Sequence, residues 1–538
     1  MTSTIKVDTI SENTSANGVA VDGVTLKDGA VGAAGTATSV AGIPFYRGDG
    51  NNSSIYTHDV SGTDSTAQYN TAYGINALDA ITAGDKNTAI GNTAGSALTE
   101  ATDSVLIGNE AGAAITTGVK NVAVGSFALD ASNTGAENTA IGHQALTADT
   151  KGQRNVAVGH GSLATQNFTG ATSSYNVALG YNAGNVLETA QNSTIVGALA
   201  GDAITTGSSN TIIGKSAGSA VTTGAAQILI GAEAGASLTS AGGNIAIGYQ
   251  ALDAADTENN NLAIGEAALG VCNGGGEFNI AIGKSSLDAL TSGDYNTVLG
   301  YNAGGVLTTG VRNVIIGSNA GDSMVEGSSN VIVGDEALGG GAFTASEAVI
   351  IGRNAGHDLT SATGTTLIGF EAGLNQTTGN GNTILGHKAV GAGVLTGANN
   401  VVIGKLAGFD MTSGDANVII GEDAGANITT ADANVIIGQG AGETLTTGTY
   451  NIYIGVNAGN GHDAEGSNIG IGFDALGGSI VAGGENNVAL GIYALDALTA
   501  GDYNNAIGYQ TLTNLTTGQH NVAMGRLAGD AVTDETQS

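Results

Sequence analysis

From Asn70 to Gly525 the chain repeats a short apolar run framed by asparagine and glycine. Asn313-Val314-Ile315-Ile316-Gly317 and Asn400-Val401-Val402-Ile403-Gly404 are two of its copies. The pentad occurs 27 times, and 21 of the 26 intervals between copies are 17 residues. A β-branched run closed by glycine predicts a short strand that ends in a turn. A fixed period of this size predicts one small unit stacked on copies of itself. With asparagine as position 1, position 8 is Ala in 24 copies, and Thr-Thr-Gly or a relative fills positions 13–15. Position 12 is usually apolar. Ala at position 8 marks where the chain folds back with no room for a larger side chain, and the glycine at 15 turns it into the next coil. Representative repeat residues are Asn87, Gly91, Ala94, Asn121, Gly125, Asn313, Gly317, Asn417 and Gly421.

The expected fold is all-β: a parallel β-solenoid or flattened β-roll with two short strands per coil. Stacking in register puts like residues over like, so the position-1 asparagines should form a hydrogen-bonded ladder. At about 4.8 Å per coil, 27 coils would extend about 130 Å. Along the strand, positions 2 and 4 point one way and position 3 the other. Position 3 is Ala or a large aliphatic such as Ile212, Leu229, Ile315 or Ile419. A strand apolar on both faces is buried on both faces. The position-3 face is therefore expected to meet the same face of a symmetry mate, and a short strand along one edge suits a parallel homotrimer.

The pattern divides the chain into four parts. Residues 1–30 alternate apolar and polar (Ile5, Val7, Ile10, then Val19, Val21, Val24, Leu26), with turn signals at Asn17-Gly18 and Asp22-Gly23. They read as short strands of an attachment segment. Residues 31–69 read as a linker or cap, 70–533 as the repeat array and 534–538 as a frayed C-terminus. The C-terminal end carries no expected folded tip, so docking is assigned to the N-terminal segment.

Composition narrows the function classes. The 538 residues include 90 Gly, one Pro and no Trp, and glycine lacks the every-third-residue period of collagen. A formal charge of −33, from 14 basic and 47 acidic residues, argues against nucleic acid and anionic membranes as partners. No apolar run is long enough to span a bilayer, and the first residues lack the pattern of a signal peptide. The expectation is a cytosolic product without membrane insertion. Cys272 is the sole cysteine, so no intrachain disulfide forms.

Candidate chemistry is sparse. His143 and His160 both occupy position 6 on adjacent coils, a spacing at which two imidazoles could share a metal; two independent polar loop residues is the reading preferred. Gly-Asp pairs recur at Gly84-Asp85, Gly293-Asp294, Gly414-Asp415 and Gly501-Asp502, and calcium is the one cofactor they suggest. They lack the calcium-binding nonapeptide of other solenoids, so solvated turns are preferred. No segment leaves the repeat to build a cleft for paired carboxylates, so no catalytic residue is assigned. The irregular coils are better placed for recognition, because loops on a rigid scaffold commonly carry binding. They hold Phe168 and Tyr175 in a 21-residue coil, Phe278 after Gly274-Gly275-Gly276, Phe343 after Gly340-Gly341, and Ser479-Ile480-Val481.

The unit Asn-x-Ala-Ile-Gly-x-x-Ala resembles the head repeats of trimeric autotransporter adhesins, which form parallel β-rolls, and the repeats of bacteriophage tail and head fibres. The N-terminal stretches Thr4-Ile5-Lys6-Val7-Asp8-Thr9-Ile10-Ser11 and Asn17-Gly18-Val19-Ala20-Val21-Asp22-Gly23-Val24 are similar to the N-termini of virion structural proteins of marine phages, cyanophages especially. The secretion apparatus of the adhesins has no counterpart here, which favours the phage resemblance. It implies a non-enzymatic tail or head fibre located in the virion. Residues 1–30 would bind other virion proteins, and the fibre would reach a host-surface glycan or protein. The alternative is a non-viral adhesin or a filament-forming extracellular protein.

Overall fold

A computed structural model describes the strands within 19–47 and then residues 54–57, 66–478, 484–534 and 536. The chain divides into two compact units, 1–257 and 258–538. In the first, every pentad forms a three-residue strand, from Thr71–Tyr73 to Ile245–Ile247, hydrogen-bonded in parallel to the strand one coil on. The second repeats this from Leu262–Ile264 to Val522–Met524. Register is like over like: Val314 faces Val331, Ile315 faces Ile332 and Ile316 faces Val333. The parallel solenoid of 17-residue turns is thus the architecture, and no helix occurs among the described residues. Each regular coil holds one strand, not two, except coil 138–154, where Gly152–Gln153 also pairs in parallel with Thr172–Ser173 of the 21-residue coil. The rest of the coil is turns, because positions 5, 7, 9 and 17 have left-handed or other positive-φ backbone, as at Gly108, Glu110, Gly112 and Lys120.

The ladder begins one coil before the first pentad. Ile55–Tyr56 pairs in parallel with Thr71–Tyr73, and Ser54 Oγ accepts the Asn70 N–H at 2.9 Å. Serine there hid a coil that the sequence reading placed inside the linker. Upstream, Ile43–Arg47 pairs antiparallel with Ile55–Tyr56 and with Thr38–Val40, and Val19–Val21 pairs antiparallel with Val24–Leu26. The expected turn at Asp22-Gly23, between those two strands, lies outside the described residues. The expected strand around Ile5–Ile10 and the turn at Asn17-Gly18 lie outside the described residues.

Asparagine at position 1 closes each coil onto its neighbour. Asn417 donates its backbone N–H (2.9 Å) and its Nδ2 (3.1 Å) to Oδ1 of Asn400, and Nδ2 also donates to the Ala431 carbonyl at 2.7 Å. Asn87 and Asn313 make the same three bonds in their own coils. These side chains are buried, so each bond replaces a desolvated polar group that would otherwise go unpaired. Glycine at position 5 is fixed by proximity. Gly91 has φ +142, and a Cβ there would lie 2.6 Å from the carbonyl carbon of Gly108 in the next coil.

Position 3 does not face a partner. Ala72, Leu106, Ile315 and Ile419 are all fully buried within their own coils, so the expectation that this face meets a symmetry mate is corrected. The error lay in assigning the inside to positions 2 and 4. Inside the coil, position 3 shares its volume with position 9. Where position 3 is Ala, position 9 is commonly Leu, as in Ala123/Leu129, Ala140/Leu146 and Ala157/Leu163. Where position 3 is large, position 9 is commonly Gly, as in Leu106/Gly112, Ile212/Gly218 and Leu229/Gly235. Two coils with large residues at both, Ile332/Leu338 and Ile384/Val390, are each lengthened to 18 residues. Interiors are packed closely enough that one misplaced methylene is felt.

Two outcomes follow for the folded chain. Asn417→Ala removes an inter-coil acceptor and a buried donor, and should lower the local opening free energy of coils 400–434 by about 1–3 kcal/mol, read by hydrogen exchange. Leu367→Ala should cost about 2–5 kcal/mol by leaving a cavity, and Gly373→Leu about 1–3 kcal/mol by overpacking. The double variant should cost clearly less than the sum, because the new leucine fills the vacated volume. Additive costs in denaturant unfolding would show that the two positions are independent.

Candidate functional site

With position 3 inside, positions 2 and 4 form the outward face of the parallel sheet. Two positions in each of 27 coils make 54 sites, and they hold only Val, Ile, Leu, Thr, Tyr73, Asn505 and Met524. None is charged, although the chain carries 14 basic and 47 acidic residues. The face is wet in the single chain: Leu299 is 45% and Leu385 40% exposed. Positions 17 and 6 flank it. Among the described residues, every exposed large apolar or aromatic side chain other than Val271, Val306 and Val394 lies on this face or its flanks. β-propensity explains β-branched residues in a strand but not the absence of lysine, arginine and glutamate from its open side.

Rings on the flanks stack along the coils. Phe278 lies 5.2 Å from Tyr295 and parallel to it, with the Arg312 guanidinium 5.8 Å over the tyrosine ring. Tyr503 stacks on His520 at 5.1 Å, and Phe370 on His387 at 5.1 Å. His143 and His160 stack at 5.1 Å between Phe127 and Tyr181. The two imidazoles are therefore members of a ring column. No group of three metal-ligating side chains occurs among the described residues.

Two of the four expected recognition residues are turned the other way. Phe168 and Phe343 are buried, so they fill the widened interiors of their irregular coils and are unavailable to a ligand. Tyr175 and Phe278 are about half exposed on the flank, as the last residues of their lengthened coils, where position 17 lies in a regular one. Tyr175 receives a 2.9 Å hydrogen bond from Arg154, whose guanidinium also lies 5.6 Å over its ring. Ser479-Ile480-Val481 lies outside the described residues.

The Gly-Asp pairs have a structural use. Oδ1 of Asp85 accepts the Gln68 N–H at 2.7 Å, and Asp294, Asp415 and Asp502 accept N–H groups of the preceding coil in the same way. Threonine at position 13 does likewise: Thr222 Oγ1 donates to the Thr239 carbonyl at 3.1 Å and Thr429 to Thr446 at 3.2 Å. Sequence reading missed both ladders, although the 17-residue recurrence of a short polar residue beside the turn was their signal.

Among the described residues, fully buried ionisable side chains are few. Asp149 accepts Gln166 Nε2 at 2.7 Å and the Gly152 N–H at 2.8 Å, while burial pushes its carboxyl upward. Burial pushes the Cys272 thiol to about 12, so it stays protonated and unreactive at neutral pH. Burial lowers His462 to about 3. Partial burial raises the position-10 carboxyls of Asp130, Asp202, Asp288, Asp322 and Asp496. Among the described residues, no helix is long and apolar enough to cross a membrane. No protein-family model matches the chain, and no curated protein matches it.

Proposed function

We propose that this protein is a non-enzymatic structural fibre of a phage virion, assembled as a parallel homotrimer through the outward faces of its strands. The observation that carries the assembly is the charge-free column pair at positions 2 and 4. Water-exposed sheet faces ordinarily alternate polar residues outward, and large exposed apolar patches mark interaction surfaces. A face that repeats identically in every coil is best covered by the same face of another copy, and its narrow three-residue width suits three copies around one axis. The stacked rings at positions 6 and 17 then lie along its edges, in keeping with the enrichment of aromatic residues at interfaces.

The fibre reading rests on the ladder architecture, in which each described coil is braced by its neighbours, and on the resemblance of residues 1–30 to virion N-termini. Those residues would dock onto the particle, and the array would carry contact toward a host-surface glycan or protein. Purified phage particles should contain the chain, and a chain lacking residues 1–30 should remain soluble and trimeric but leave the particle. Absence of the full-length chain from particles would overturn the virion reading in favour of a non-viral adhesin or filament.

Assembly has its own test. Ile316→Glu with Ile420→Glu places charge on the outward face and should convert a trimer to monomers in sedimentation equilibrium with the β-sheet circular dichroism retained. Ile315→Asp, one residue away, should instead unfold its coil at a cost of several kcal/mol, because that charge is buried in the single chain. A wild-type chain that sediments as a monomer, or a double variant that stays trimeric, contradicts the assignment of the face.

A further inference from the structure

Coil 451–467 departs from the rule that the coil interior is apolar. Position 12 is held by His462, the one histidine buried among the described residues. Position 3 is Tyr453, also buried, and the space for its ring comes from two glycines. A Cβ on Gly459 would lie 2.5 Å from Tyr453 Cγ, and one on Gly470 would lie 3.3 Å from its Cδ1. The tyrosine hydroxyl reaches His462 Nδ1 at 3.0 Å, and Asn468 Nδ2 approaches the same nitrogen at 3.4 Å. The atom that approaches, Asn468 Nδ2, can only donate, so Nδ1 is the acceptor and the ring proton sits on Nε2. Nε2 has no hydrogen-bond partner among the described residues.

Asn468 is also a rung of the ladder. Its backbone N–H donates to Asn451 Oδ1, its Nδ2 donates to the Gly484 carbonyl, and its Oδ1 accepts from Asn487. A proton on Nδ1 would set an N–H against the Asn468 amide and enclose a cation in an apolar coil. We propose that coil 451–467 is an acid-labile seam, where a second proton on the buried imidazole of His462 opens this coil from its neighbours while other coils stay closed.

The groups around the imidazole allow no easy neutralisation. Glu465, buried in the same coil, is engaged through Oε2 with the N–H groups of Asp463 and Ala464. Tyr453, whose phenol is pushed upward by burial, stays neutral. The preceding coil presents Leu445 at position 12, and the following coil presents Asn468 with Asp474 and Glu485 on its turns. Asp496, one coil further on, is raised by burial and so shifts stability in the opposite direction as pH falls. The sign for His462 follows from its depression. A folded value below the ordinary 6.5 means the open coil binds the proton more tightly, so stability present above about 6.5 is lost as pH falls toward 3.

Hydrogen exchange of the full chain, expressed as protection factors to remove the intrinsic effect of pH, tests the seam. Between pH 6.5 and 4.5 the opening of 451–478 should rise about fiftyfold, the slope approaching one decade per pH unit below about pH 6, while coils 400–434 change little. His462→Leu, which copies the leucine of the preceding coil, should abolish the rise. A flat wild-type profile, or a rise that persists in His462→Leu, overturns the proposal. If that variant does not fold, the carbon-labelled ring of His462 decides. It should remain neutral in the closed coil below pH 5, and ordinary titration near 6.5 with protection unchanged refutes the seam.

Discussion

The structure depends on one arrangement: a buried asparagine whose three bonds are completed only by copies of itself and by a carbonyl fourteen residues further along the chain. Asn417 cannot be satisfied by its own coil alone, since Asn400 Oδ1 belongs to the coil before. An unpaired buried amide costs free energy comparable to a lost hydrogen bond, so a register slip of one residue is penalised at every rung. Glycine at position 5, the carboxylate or hydroxyl at position 16 and the threonine at position 13 follow from the same closeness. Each lies where adjacent coils nearly touch, and each donates, accepts or withdraws its side chain accordingly. Strand pairing alone, three residues long, would be a weak clasp.

Much of this is legible in the residues. The pentad, its period and the paired asparagine column point to a parallel solenoid, because only in-register stacking uses an invariant glycine and a recurrent buried amide at one spacing. What escaped was the side of the strand that faces inward. Alternation says that positions 2 and 4 oppose position 3, but an apolar run gives no sign of which is inside. The deciding clue was volume: Leu106 with Gly112 and Ala123 with Leu129 exchange size across the coil, which only residues sharing an interior do. Ser54 and the buried Phe168 and Phe343 escaped for a related reason. One is a ladder residue in an unfamiliar side chain, and the others are aromatic rings in long coils that look like loops until packing is known.

The candidate surface is visible once the inside is settled. An outward face with no charged residue in 54 positions contrasts with a chain of net charge −33. Among the described residues, acidic side chains outside the buried Asp149, Glu258 and Glu465 sit on turns, and those of the Gly-Asp pairs accept N–H groups of the preceding coil. Charge is thus sorted by position within the coil, and a sorting repeated in every coil requires a constraint that acts along the whole array. The proposed contact with an identical face would supply it. His462 is a titratable group on the inside, bonded to Tyr453 of its own coil and approached by Asn468 of the next.

Exchange of the asparagine side-chain amides tests the ladder most directly. With asparagine selectively labelled with nitrogen-15, the Nδ2 protons of position-1 residues such as Asn87, Asn313 and Asn417 should exchange as slowly as the backbone amides of the strands they brace. Those of surface asparagines such as Asn92 should exchange within the dead time. Two separated populations are the result the account predicts. A single fast population, with the strand amides still protected, would mean that the coils are held together without the ladder.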